Sequence, residues 1–264
     1  MLKTAIQTNV WSDEIHRTKF HQMLSEIAAI GYQGFEIGAH RVDLGAPDEF
    51  RQQAALYGLQ VAGIHTHGEL FNLQSMEESY PRIEKAISFA AAVGSPFVLI
   101  SGKPKAGKSA AEQQQEADTL TRVGQICQQH GIALCYHNHY WEIEHNLREL
   151  HFLCDHTDPA LVGLALDVGW VHRAGRAPAE VTRLFLNRIR YFHFKDFRVK
   201  DFLHDTWTEL GDGYVDFPGV LEVIGENSEF WLTVERDEVL PNAAESARLS
   251  HDYLVKLIGQ HASR

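Results

Sequence analysis

A chain of 264 residues, 44% of them hydrophobic, has the material for one large α/β barrel or two small domains. Its 35 acidic against 24 basic side chains give a formal charge of −11. Such a surface repels nucleic acid and anionic membrane, and no basic stripe offsets it, so neither is an expected partner. Cys127, Cys135 and Cys154 are odd in number, and the first two sit in apolar surroundings, which reads as reduced thiols and not as a disulfide frame. No apolar core of signal-peptide length precedes Asp13 and Glu14, and no run approaches the roughly 18 apolar residues of a membrane span. The expected location is the cytoplasm.

In chain order a strand–helix rhythm is predicted throughout. Thr4 to Val10 reads as a strand, and Asp13 to Ile30 as a helix with Phe20, Leu24, Ile27 and Ala28 on one face, ended by Gly31. Gly34 to Gly38 is a second strand, followed by a helix over about Pro47 to Tyr57. Gln60 to His67 is the third strand, with a helix from about Ser75 to Val93. Pro96 to Ser101 and Ser109 to His130 form the fourth pair. The fifth strand is the start of Ala133 to Glu142 (ALCYHNHYWE), with a helix near Asn146 to Asp155. Val162 to Val168 and Ile189 to Asp196 are strands six and seven, separated by a helix near Pro178 to Leu186. A long loop over Phe197 to Asp216, a helix at about Phe217 to Glu226, strand eight at Phe230 to Glu235 and a closing helix at Asn242 to Ile258 complete the pattern. Eight strands alternating with helices, without a linker or low-complexity break, predict a single (β/α)₈ barrel spanning residues 1–264. A doubly wound open sheet fits less well, because WSDE after the first strand is not a glycine-rich turn.

Gly102 to Ser109 (GKPKAGKS) matches the P-loop pattern between a strand and a helix. The helix that follows opens on the polar AAEQQQEAD, and Pro104 removes a backbone donor from the loop. The stretch is therefore read as a solvated basic loop.

A different set of residues carries the chemistry. Glu142, Asp167, His193 and Glu235 each follow an apolar strand, and a barrel brings the C-terminal ends of its strands to one rim. Alternation places Trp231, Thr233 and Glu235 on one side of strand eight, and Tyr191, His193 and Lys195 on one side of strand seven. Three carboxylates and one imidazole make a hard, mostly oxygen site for one divalent ion, with Mn²⁺ first and Mg²⁺, Co²⁺ or Zn²⁺ as alternatives. Glu36, His65, His67, His139 and Lys195 lie at or near strand ends and are candidates for substrate contact. Trp11, Phe71, Trp141 and Trp170 are candidate apolar walls.

The segments YHNHYWE, LDVGW followed by RAG (Arg173 to Gly175), FHFKD, GDGYVDF and TVERD resemble those of the metal-dependent sugar isomerase/epimerase superfamily of xylose isomerase-like barrels. That superfamily includes ketose 3-epimerases and inosose dehydratases, and the resemblance covers essentially the whole chain. It implies Glu142, Asp167, His193 and Glu235 as metal ligands. In the ketose epimerases the first Glu ligand lies on the strand itself, at the position of Tyr136 here, and Glu142 is taken in its place. Trp170 stands where many relatives have His after the Asp-x-Gly, with His172 close by.

The implied activity is that of a sugar isomerase or epimerase on a keto sugar or keto polyol. The ion would act as a Lewis acid at the carbonyl, and Glu142 and Glu235 would move protons between the two faces of an enediolate. Loss of a β-hydroxyl on the same scaffold would make the enzyme an inosose-type dehydratase. An endonuclease IV-like nuclease is disfavoured by the charge, and a non-catalytic binding barrel is a third class. The sequence leaves the substrate and the oligomeric state open, a homo-oligomer included.

Overall fold

In a computed structural model, which describes residues 2–201, 204–225 and 229–262, the chain closes into a barrel of eight parallel strands. These are β1 (Lys3–Gln7), β2 (Gly34–Gly38), β3 (Gln60–Gly68), β4 (Phe97–Gly102), β5 (Ala133–His137), β6 (Val162–Asp167), β7 (Ile189–Phe194) and β10 (Trp231–Val234). Each pairs with its neighbour in sequence, and β10 pairs with both β7 and β1 to close the ring. The α/β barrel expected from the sequence is the fold observed. Its outer layer comprises α1 (Asp13–Thr18), α2 (Phe20–Ile30), α3 (Pro47–Leu56), α4 (Leu73–Val93), α5 (Ala110–Gln129), α6 (Tyr140–Asp155), α7 (Val168–Arg173), α8 (Pro178–Phe185), α9 (Phe217–Ile224) and α10 (Ala243–His261).

Local chemistry sets these boundaries. Ser12 caps α1, its hydroxyl accepting from Ile15 N–H, and α2 stops where Gly31 takes the left-handed φ of 109° that a side chain would resist. The expected first helix is two helices, broken at Lys19, and the expected first strand ends at Gln7 in a short 3-10 turn over Thr8–Val10. Helix α6 starts directly after His139 and not near Asn146. Residues Glu144 to Leu147 interrupt it, with positive φ at His145, Asn146 and Leu147. The end of the helix expected at about Phe217 to Glu226 lies outside the described residues.

Strand alternation decides what faces where. Ala5, Ala62, Leu99, Cys135, Ala165, Tyr191 and Trp231 fill the barrel interior as a small cluster of their own. The larger core lies between strands and helices and includes Phe35, Ile64, Ile100, Leu134, Tyr136 and Phe192. Two residues beyond an interior filler, the same face emerges at the C-terminal rim. Cys135 thus leads to His137, Ala165 to Asp167, Tyr191 to His193 and then Lys195, and Trp231 through Thr233 to Glu235.

The expected loop over Phe197 to Asp216 contains an antiparallel hairpin, β8 (Asp196–Asp201) with β9 (His204–Thr208). Asp196 anchors its base. The carboxylate accepts from the backbone N–H groups of Phe197 (2.9 Å), Gly211 (2.9 Å), Gly213 (3.0 Å) and Val215 (3.1 Å). Gly211 holds φ at 84°, and a Cβ on Gly213 would collide with the Asp196 carboxylate, which explains the two glycines of GDG. Replacing Asp196 with Ala strands these four donors. Unpaired buried donors cost about 1–3 kcal/mol each before relaxation, so Asp196→Ala is expected to lose roughly 3 kcal/mol or more in denaturant unfolding. Wild-type stability in that variant would show that the anchor is dispensable.

Candidate active site

At the C-terminal rim four buried side chains converge. One ligand-type atom from each of His137, Asp167, His193 and Glu235 lies within 4.8 Å of the others. All four come from strands or their immediate ends, so rigid backbone sets their spacing. Asn138 ties two of those ends together: its Nδ2 donates to Asp167 O (3.3 Å) while its Oδ1 accepts from Asp167 N–H (2.9 Å). Asp167 divides its oxygens between two tasks. Oδ1 accepts from Trp170 N–H at 2.9 Å and caps α7, leaving Oδ2 towards the cluster.

Each member of the cluster also contributes an unpartnered polar atom. His137 Nδ1, Asp167 Oδ2, His193 Nδ1 and Glu235 Oε2 are all buried, and none has a hydrogen-bond partner among the described residues. His193 Nδ1 approaches Glu235 Oε2 to 3.0 Å, and Lys195 Nζ lies 3.0 Å from Glu235 Oε2 and 3.3 Å from Asp167 Oδ2. These are ion-pair distances without hydrogen-bond alignment. Buried polar atoms are rarely left so, and one unpartnered atom from each member of a four-residue cluster fits a shared cation. Two imidazoles and two carboxylates suit Mn²⁺, Co²⁺ or Zn²⁺ better than Mg²⁺, which prefers oxygen throughout.

Opposed charges balance the enclosed groups. Burial alone would lower His193, but Glu36 and Glu235 hold it well above the ordinary histidine value. Burial would raise Glu36, yet His193 and His65 hold it down at about 2. Glu235 is likewise held well below the carboxylate range, Lys195 and His193 outweighing burial. Asp167 is pushed up to about 7 by burial, with Lys195 opposing and Glu235 adding. Burial and the neighbouring His193 charge keep His137 neutral, and burial with Lys195 takes His139 down to about 3. Lys195 stays charged despite burial because Asp167, Asp237 and Glu235 surround it. Both Asp237 oxygens accept from its ammonium at 2.9 Å.

A cavity of about 200 Å³ opens beside the cluster. Its wall includes Gln7, Asn9, Ser101, Asp237 and Glu235 together with His40, His65, His67, His137 and His139. Of the residues expected to contact substrate, His65, His67 and His139 lie on this wall. Glu36 is fully enclosed, and Lys195 is 1% exposed behind Glu235 and Asp237. Among the expected aromatic walls, Trp141 stacks flat on His139 (4.3 Å, 10° between planes) and Trp170 lies 5.6 Å from it. Trp11 is packed in the core and donates to Glu26, and Phe71 lies beneath Lys105 and Lys108. Trp207 of the hairpin packs on Trp170 and stands over Lys195, a contact with no signal in the sequence pattern.

Glu142, expected as the first metal ligand, is placed elsewhere. Its Oε1 accepts from the Tyr136 hydroxyl (2.7 Å) and its Oε2 from His139 N–H (2.8 Å). Lys108 Nζ is 3.9 Å away, and that ammonium also meets Glu116 (2.7 Å) and Glu149 (3.3 Å). Strand alternation is the reason. Tyr136 faces outward to the helices, and Glu142 on the first turn of α6 joins it there, whereas His137 faces inward. The expected solvated loop therefore needs correcting at Lys108, which is 1% exposed. Ser109 and Glu112 form a capping box at the start of α5, so that helix end is satisfied by its own chain.

With the chain's geometry in view, comparison with known proteins defines the class. Residues 24–257 match the xylose isomerase-like TIM barrel family, and the chain belongs to it. An inosose dehydratase of Mesomycoplasma hyopneumoniae (strain J) is 29% identical over 90% of this chain and 89% of its own. A probable 3-DHS dehydratase involved in petrobactin synthesis from Bacillus anthracis superposes with a TM-score of 0.81 over 96% of this chain and 98% of its own, at 15% identity. A D-allulose 3-epimerase from Methylomonas sp., solved with D-allulose, gives 0.78 over 97% and 96% at 15% identity. The structural likenesses are likenesses of fold. The relatives are enzymes named as dehydratases and epimerases. No helix among the described residues is long and apolar enough to cross a membrane.

Burial pushes Glu142 up to about 7 from an ordinary 4.5, with Lys108, Tyr136 and His139 N–H opposing. A carboxyl raised on folding keeps its proton while the unfolded chain releases it. Its contribution to stability is therefore intact below about 4.5 and is lost as pH rises through about 7. Glu142→Gln removes that titration. Relative to the wild type, the variant is expected to gain on the order of 1–3 kcal/mol as pH is raised across this interval, read from denaturant midpoints. Parallel curves for the two proteins would contradict the assignment.

Proposed function

We propose that this protein is a divalent-metal-dependent dehydratase acting on a keto polyol of the inosose type. The observation that carries the reading is the set of four unpartnered buried atoms on His137, Asp167, His193 and Glu235 beside a polar cavity. These four residues would hold the ion, with Mn²⁺ the first choice and Co²⁺ or Zn²⁺ next. When bound, it would supply Lewis-acid polarisation of a substrate carbonyl and so ease loss of the neighbouring proton. The wall is rich in imidazole, amide and hydroxyl groups, as a polyhydroxylated ligand requires.

The choice of elimination over epimerisation follows from Glu142. A two-carboxylate shuttle across both faces of the substrate needs it at the cavity, and it is committed to Tyr136, His139 N–H and Lys108. What faces the cavity instead is His139, a neutral imidazole stacked on Trp141. His139 takes the proton from the carbon next to the carbonyl. The electron pair left behind forms the new C=C bond as the β-C–O bond breaks. The imidazolium so formed on His139 gives its proton to the departing hydroxyl, which leaves as water, so the proton removed from carbon is the one that leaves with oxygen. The similarity to inosose dehydratases over nine-tenths of the chain supports the same substrate class.

The test is incubation of the Mn²⁺-loaded protein with an inosose and, separately, with ketohexoses. The expected product is lighter than the inosose by one water. A product of unchanged mass with one inverted carbon would replace this reading with the epimerase one. His139→Gln is expected to lower kcat by roughly 10²–10⁴-fold while retaining the ion. Asp167→Asn is expected to lose the ion, and Glu142→Gln to keep it. A wild-type protein that binds no divalent ion would overturn the proposal at its base.

A further inference from the structure

Glu36 sits on β2, across the barrel interior from the strand that carries His193, and is 0% exposed. Its Oε2 lies 2.6 Å from His193 Nε2, the shortest contact around the cluster. Its Oε1 lies 3.0 Å from Gln7 Nε2 and 2.9 Å from His65 Nδ1, and His65 Nε2 reaches Ser101 Oγ at 3.1 Å. Both oxygens are thus committed to protein partners and none is left for a ligand in the cavity. His193 is held from one side only, because its other ring nitrogen, Nδ1, faces the cluster and has no hydrogen-bond partner among the described residues.

We propose that Glu36 is a positioning residue for the metal centre: by accepting from His193 Nε2–H it fixes the ring's orientation and presents the Nδ1 lone pair to the ion. The inference rests on the metal-centre reading above and assigns to Glu36 a role different from the substrate contact expected of it. The physical grounds are twofold. An imidazole ligates through an unprotonated nitrogen, so the tautomer must carry its proton on Nε2, and a carboxylate acceptor there selects that tautomer. A carboxylate on the far nitrogen also raises the basicity of the ligating one, so the ring binds a cation more tightly. Gln7 and His65 serve the same end at one remove, since they hold the carboxylate against rotation.

The experiment measures Mn²⁺ affinity directly, by calorimetric titration of the metal-free full-length protein, at one pH for every variant. Glu36→Gln keeps an oxygen for the Nε2–H bond and removes the charge. Glu36→Leu removes both. Loss of an outer partner of a metal-bound histidine typically costs roughly 10–100-fold in affinity, so weakening by about 10-fold for Gln and about 100-fold for Leu is expected. Thermal melts of the metal-free proteins accompany the titrations, because Glu36→Leu leaves Gln7 and His65 without their acceptor and can unfold the rim. Glu36→Gln, which keeps the shape, then decides alone. A folded Glu36→Gln protein with wild-type Mn²⁺ affinity overturns the role of Glu36 and leaves the centre itself standing. Absence of Mn²⁺ binding in the wild type overturns both, so the two failures are told apart in the first titration.

Discussion

The organising constraint at the rim of this barrel is the burial of several ionised groups against one another. Glu36, Asp167 and Glu235 are carboxylates with 0–5% exposure, and His193 and Lys195 are nearly or fully buried beside them. Removing any one such charge from water costs several kcal/mol, and only close partners offset that cost. The arrangement alternates sign along a connected path. Glu36 meets His193, His193 meets Glu235, Glu235 meets Lys195, and Lys195 meets both Asp167 and Asp237. Yet the path does not close, because three atoms on it, and His137 Nδ1 beside it, lack aligned partners among the described residues. A divalent ion at that point would convert a costly defect into a strong coordination site.

Much of this was legible in the sequence because barrels translate a period of two into a three-dimensional address. The alternation that put Tyr191, His193 and Lys195 on one face, and Trp231, Thr233 and Glu235 on another, is the alternation observed. The apolar members fill the interior, and the ionisable ones follow at the rim. The same rule applied to β5 would have found His137. Cys135 is a small interior filler, so its face continues to His137 and turns Tyr136 outward. On β5 the family resemblance points to a carboxylate at the position of Tyr136, whereas the alternation points to His137.

Other features had no local signal. Nothing in GKPKAGKS says that Lys108, and not Lys103 or Lys105, turns inward, since that depends on Glu116 and Glu149 being presented by two different helices. The placement of Glu142 follows from the same long-range event. Once the Lys108 ammonium is enclosed between α5 and α6, a third carboxylate is drawn to it, and the first turn of α6 is fixed in the process. His139 gains from this. Its backbone N–H is held by Glu142 and its ring by the Trp141 stack, so two interactions outside the cavity hold a residue of its wall. Glu142 thus bears on the cavity wall through the position it gives His139.

The hairpin completes the same logic from the other side. Lys195 points inward at the end of β7, and the very next residue, Asp196, turns its carboxylate onto the backbone of the loop that follows. Adjacent residues on a strand face opposite ways, so one strand end can supply the cation of the site and the anchor of its roof with no residue between them. Because Asp196 fixes where the hairpin starts, it fixes where Trp207 falls, and Trp207 lands 4.9 Å from the Lys195 ammonium, beside Trp170 at the same distance. The two indoles exclude water from a charge that is already paired with three carboxylates. Excluding water strengthens each of those pairings. The roof is therefore part of the electrostatics of the site, and the glycines that let Asp196 reach the loop backbone belong to it as much as the ionisable residues do.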